Sequence, residues 1–167
     1  MFELKRLSAG AIPGALALAE RYRLLNEPSE AESICLDVLQ IEPDNEQALV
    51  TMLLAQTDQF ADGTASTKMA EAEQAARRIG DEFKRLYYSG LIRERRAKAQ
   101  MRSAHASTDD AVREWLGEAM SFYERAEAIR PADHDEPLLR WNACARALNS
   151  LGAPAPDTQD YQPLLSE

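Results

Sequence analysis

Two cysteines and two histidines in 167 residues leave little for thiol or metal chemistry. A zinc site needs four ligands at suitable spacing, and Cys35 and Cys144 both fall on apolar helical faces. His134-Asp135-Glu136 are adjacent, and neighbours on a helix do not face one site. The same scarcity excludes a disulfide framework and points to a reducing, cytoplasmic setting. Glycine is sparse, at seven residues, and no glycine-rich loop is present to cradle a phosphate. No stretch approaches the roughly 20 apolar residues of a membrane span. Lys5 and Arg6 ahead of AGAIPGALALA imitate a signal peptide, but Glu3 and Pro13 intrude and the apolar part is mostly Ala and Gly. No membrane partner, cofactor or metal is expected.

Charge is abundant and uneven. The net formal charge is -9, which disfavours general nucleic-acid binding. Between Arg77 and Arg102, however, nine Lys/Arg face three acids, a local excess of +6 that leaves -15 for the remainder. Ala, Leu, Glu and Arg dominate, which favours an all-α fold.

The chain reads as paired helices. Leu18 and Tyr22 share a face, Asn26-Glu27-Pro28 breaks the run, and Ser29 with Glu32 forms a capping box for a second helix carrying Ala31, Cys35 and Val38. After Pro43, Asp44 and Gln47 offer the next cap, for a helix through Leu49, Met52, Leu53 and Gln56. Phe60 to Thr64 is turn chemistry, and a helix resumes near Thr67 with Ala72, Ala76 and Ile79 inward. Asp81 caps a long helix to about Ala104, with Phe83, Tyr87, Gly90, Ala97 and Met101 on a seam that Glu94 interrupts. A partner helix restarts at Thr108 or Asp109, with Val112, Leu116, Ala119, Tyr123, Ala126 and Ile129 on one stripe. A last helix, from Asp133 or Asp135 to Leu151, tolerates Pro137 in its first turn, ends at Gly152 and presents Leu138, Trp141, Ala145 and Leu148.

Counting Ile12 as the first position, Leu18, Ala19, Tyr22, Ala31 and Pro43 fall on signature positions of the tetratricopeptide pattern of about 34 residues. The segment resembles that family, with Ala15 where the pattern prefers Trp and Cys35 where it prefers an aromatic. The resemblance implies an all-α stack of αα-hairpins, a superhelix of three repeats (about 12–45, 46–80 and 81–132) with a capping helix at 133–151. A leader, 1–11, precedes it and a flexible Pro-rich tail, 152–167, follows. Between Arg93 and Ala119 the chain exceeds the pattern by about seventeen residues, so the third hairpin is expected to be longer by about two turns per helix.

The resemblance also implies work: a non-enzymatic module that binds another protein or peptide segment in the groove lined by the first helix of each repeat. Its register nominates Leu16, Glu20 and Arg23; Gln47, Val50 and Leu54; Lys84, Tyr87, Tyr88 and Leu91; and Leu138 and Asn142. The five positions at which co-chaperones of the family clamp a terminal carboxylate read Leu16, Glu20, Thr51, Lys84 and Tyr88 here, and only Lys84 fits. The basic stripe of Arg93, Arg95, Arg96, Lys98 and Arg102 is a second candidate surface, for an acidic segment or phosphates, or else a solvated face paired internally, as Glu94 with Lys98. Rival readings are a small acidic secretion-type chaperone, and a homodimer through Trp115 and Met120. Catalysis ranks last, since His105 with Ser103, Asp109 and Asp110 falls in a loop without rigid support.

Overall fold

A computed structural model describes residues 2–60, 65–103 and 109–152. Among the described residues a 3-10 turn at Ala9–Ala11 is followed by seven α-helices: α1 (Ile12–Leu24), α2 (Pro28–Ile41), α3 (Glu46–Asp58), α4 (Ala65–Arg77), α5 (Glu82–Arg102), α6 (Asp109–Ala128) and α7 (Glu136–Ser150). No strand occurs among the described residues. Consecutive helices pack against one another, so the fold is a stack of αα-hairpins closed by α7. The expected tail and the Thr108 restart lie outside the described residues, as does most of the Phe60–Thr64 turn.

Local chemistry sets the boundaries. Asn26 takes a left-handed conformation (φ 62°), and the Glu27 amide donates to the Tyr22 carbonyl at 2.9 Å, a turn that satisfies the last carbonyls of α1. Pro28 then opens α2. Asn45, rather than the expected Asp44, caps α3 by accepting from the Ala48 amide at 2.9 Å. Asp81 caps α5 as expected, accepting from the Lys84 amide at 2.8 Å.

The helices approach closely because small residues sit at their contacts: Ala19, Ala31, Ala48, Ala72, Ala119 and Ala126 are all fully buried. One apolar cluster runs through α1 to α4 and takes Ile92 and Ala99 from α5; a second joins Ala97 of α5 to α6 and to Cys144 of α7. Helix α5 is therefore shared by both cores. It and α6 span 21 and 20 residues against 13 for α3 and for α4, the expected elongation of about two turns.

Gly90 marks a tight crossing of α5 and α6. A Cβ there would lie 2.7 Å from the Tyr123 ring, and that ring is fully buried. Both thiols are buried, and burial pushes Cys35 and Cys144 up to about 12, so neither is a reactive thiolate at neutral pH.

Four expectations are corrected. Leu18 is 44% exposed, because the apolar contacts of α1 are made by Ile12, Leu16 and Ala19. Met101, in the last turn of α5, and Ile129, one residue past the end of α6, are exposed. On α7 the buried residues are Pro137 and Cys144, flanked by Trp141, Leu148 and Leu151, while Leu138 is exposed. Ser29 and Glu32 form no capping box: the α2 N-terminus has no side-chain cap, and Glu32 reaches across the stack.

There its carboxylate accepts from Gln56 (3.1 Å) and Gln59 (2.9 Å) and pairs with Lys68 (2.8 Å), joining α2, α3 and α4. Burial works against this charge, but hydrogen bonds from Lys68, Gln59 and Gln56 outweigh it, and the net pKa lies below 4.5. A carboxyl whose folded pKa lies below its unfolded one stabilises the fold above the unfolded value and loses that contribution as pH falls through the folded one. Urea unfolding should therefore show a loss of stability below pH ~4.5 that is shallower in Glu32→Gln; identical pH profiles would contradict the assignment. Gly90→Ala should cost up to about 2 kcal/mol, because overpacking of about 1–3 kcal/mol outweighs the helix-propensity gain of about 1. Gly117→Ala, where a Cβ meets nothing within 4 Å, should instead stabilise by up to about 1 kcal/mol. The same sign at both positions would refute the packing argument.

Candidate functional site

Helix periodicity splits the basic stripe. Arg95, Lys98 and Arg102 recur at i, i+3 and i+7 and line one cleft, whereas Arg93 and Arg96 are rotated onto other faces. Arg93 pairs with Glu73 of α4 and, at 2.7 Å, with Glu118 of α6. Arg96 lies over the Trp115 ring, 4.6 Å from its centroid. Three of the five stripe residues therefore share the cleft, and one face of the Trp115 ring is covered by Arg96. Met120 is likewise half-buried against the second core.

The cleft has a volume of about 450 Å³ and lies where α1, α3, α5 and α7 meet. Its cations are Arg23 from α1, Arg95, Lys98 and Arg102 from α5, and Arg140 from α7; its carboxylates are Asp58 and Glu94. Each carboxylate bridges two cations. Asp58 holds Arg23 at 2.8 Å and Arg95 at 2.5 Å, while Arg95 also donates to the Thr57 hydroxyl at 2.7 Å and, at 3.4 Å, to the Leu54 carbonyl. Burial pulls Arg95 below the usual arginine value, and the charge of Asp58 offsets part of that. Glu94, fully buried, pairs with Lys98 and lies 3.4 Å from Arg140. Five cations against two carboxylates leave the cleft electropositive.

Beside it along α5 is an aromatic hollow of about 250 Å³, lined by Phe83, Lys84, Tyr87, Tyr88, His134 and Glu136. Tyr87 and Tyr88 meet edge to face at 5.2 Å, and His134 stands against Phe83 at 6.1 Å. Tyr87 packs on the second core and Tyr88 on the first, each half-buried, so both serve the core and the hollow. Burial raises the Tyr88 pKa, which keeps its hydroxyl protonated.

Of the groove residues, Arg23, Lys84, Tyr87 and Tyr88 line these two hollows. Val50 and Leu54 are half-buried on the first core, and Glu20, Gln47 and Leu138 are exposed outside the hollows; Asn142 is half-buried. Leu16 and Leu91 are corrected: they are 4% and 3% exposed, on faces of α1 and α5 that point into the stack, and cannot line an open groove. Thr51 is buried as well.

Asp58, Arg140, Phe83 and His134 were missed as site residues. One carried a signal: Asp58 is the last residue of α3, where a carboxylate opposes the helix dipole. A charge so placed needs tertiary partners, and Asp58 has Arg23 and Arg95. Among the described residues no cluster of His, Cys, Asp and Glu would hold a metal ion, and no helix is long and apolar enough to cross a membrane. His105 lies outside the described residues. No protein-family model matches the chain, and no curated protein or solved structure matches it.

Proposed function

We propose that the chain is a non-enzymatic, tetratricopeptide-type interaction module that takes an extended acidic segment of a partner protein along α1, α3, α5 and α7. The observation that carries this reading is the cleft in which cations from three helices converge with an excess over their carboxylates. Such a surface attracts acidic side chains and speeds encounter with them. The adjoining aromatic hollow adds an anchor, since a tyrosine gives contact area together with a hydrogen-bonding tip. A partner segment would therefore place an apolar side chain against Tyr87 and Tyr88 and its carboxylates toward Arg95, Lys98 and Arg102. Dimerisation through Trp115 has less support, because Arg96 already covers that ring.

The test is fluorescence anisotropy with labelled peptides that carry one apolar residue followed by a run of glutamates. Arg102 is exposed and forms no ion pair among the described residues, so Arg102→Glu leaves the fold intact. It should weaken binding about fivefold or more at low salt, with the difference shrinking as salt is added. Failure of every acidic peptide to bind saturably, or equal binding by the variant at all salt concentrations, would contradict the reading.

A further inference from the structure

Half a turn round α5 from the cleft, a second hollow of about 270 Å³ lies between α4, α5 and α6. Four arginines line it, Arg77 from α4, Arg85 and Arg93 from α5, and Arg125 from α6. Two carboxylates answer them. Glu73 is shared between Arg93 and Arg77 (3.3 Å to the latter), and Glu118 pairs with Arg93 at 2.7 Å. Arg93 is thus neutralised twice. Arg85 is held by carbonyls, its Nη1 donating to Ile79 at 2.9 Å and Gly80 at 3.4 Å, and Arg125 lies against the Phe122 ring at 5.5 Å. Neither has a carboxylate partner among the described residues. The hollow therefore gathers like charges that its own residues do not balance.

We infer that this hollow is a phosphate site, taking a phosphate dianion either free or esterified to a partner's side chain. The unmatched charge of two equals that of the dianion near neutral pH. Guanidinium forks arriving from three helices suit an oxyanion whose oxygens point in several directions, whereas a carboxylate presents two oxygens in one plane. Leu86 and Phe122 form apolar walls, which limit screening and strengthen attraction. Carbonyl contacts fix Arg85 in place, so part of its ordering cost is met before a ligand arrives. The site is independent of the concave cleft, and its failure or success leaves the acidic-segment reading untouched.

Isothermal titration of the full chain tests it, with inorganic phosphate, a short phosphoserine peptide and the unphosphorylated peptide as probes at matched ionic strength. Saturable phosphate binding is expected, weakened tenfold or more in Arg125→Gln and in Arg85→Gln and unchanged in Arg21→Gln, an exposed arginine of α1 that lines neither basic hollow. Arg125→Lys, which keeps charge but loses the fork, should fall between. A phosphopeptide tenfold tighter than inorganic phosphate assigns the site to an esterified phosphate; equal affinities assign it to the free ion. Because Arg125 is exposed, its variants keep the melting temperature of the parent. No saturable binding of either phosphate probe, or an equal loss in Arg21→Gln, overturns the inference.

Discussion

The buried carboxylate of Glu94 is the constraint around which the outer half of the molecule is arranged. An ionised carboxylate taken out of water costs several kcal/mol unless it is paired and hydrogen-bonded. Glu94 is fully buried and has three partners: the Tyr123 hydroxyl donates to it at 2.6 Å, Lys98 pairs with it one turn along α5, and Arg140 approaches from α7. Burial and the neighbouring charge push the Tyr123 phenol far above its usual pKa, so it remains a donor. Gly90, one turn before Glu94, leaves room for the Tyr123 ring that carries the hydroxyl into place. One side chain thereby ties α5 to α6 and α7.

That tie has a functional consequence. The cations that make Glu94 tolerable in the interior, Lys98 and Arg140, also form part of the wall of the concave cleft. Asp58 does the same at the other side, holding Arg23 and Arg95. The positive side chains are thus held in position by internal carboxylates, and in the proposed reading this preorganisation would lower the ordering cost of binding an acidic segment. The opposite face of α5 repeats the device with Glu73 and Arg93, but among the described residues Arg85 and Arg125 have no acidic partner.

Much of the fold was legible because small and large apolar residues recur at helical spacing and the breaks carry their own chemistry. Asn26-Glu27-Pro28 announced a turn and Asp81 a cap that the structure contains. Errors arose where tertiary contacts overrode local rules. Glu32 had the spacing of a capping residue, yet three partners from α3 and α4 hold it more strongly than a backbone amide could. The basic stripe was visible as composition, but five cations within ten residues of helix must point in several directions. The helical period already separates Arg95, Lys98 and Arg102 from Arg93 and Arg96, but the groups that pair with or cover them, Asp58, Trp115, Glu73 and Glu118, come from other helices and are not visible in the spacing.

The most direct test is a double-mutant cycle between Glu94→Gln and Tyr123→Phe, read by urea unfolding. If the carboxylate and the phenol form the joint between α5 and α6, the two losses will be strongly non-additive, with a coupling energy of about 1–3 kcal/mol. Losses that add to within about 0.5 kcal/mol would show that the two groups act independently, and that the joint lies elsewhere.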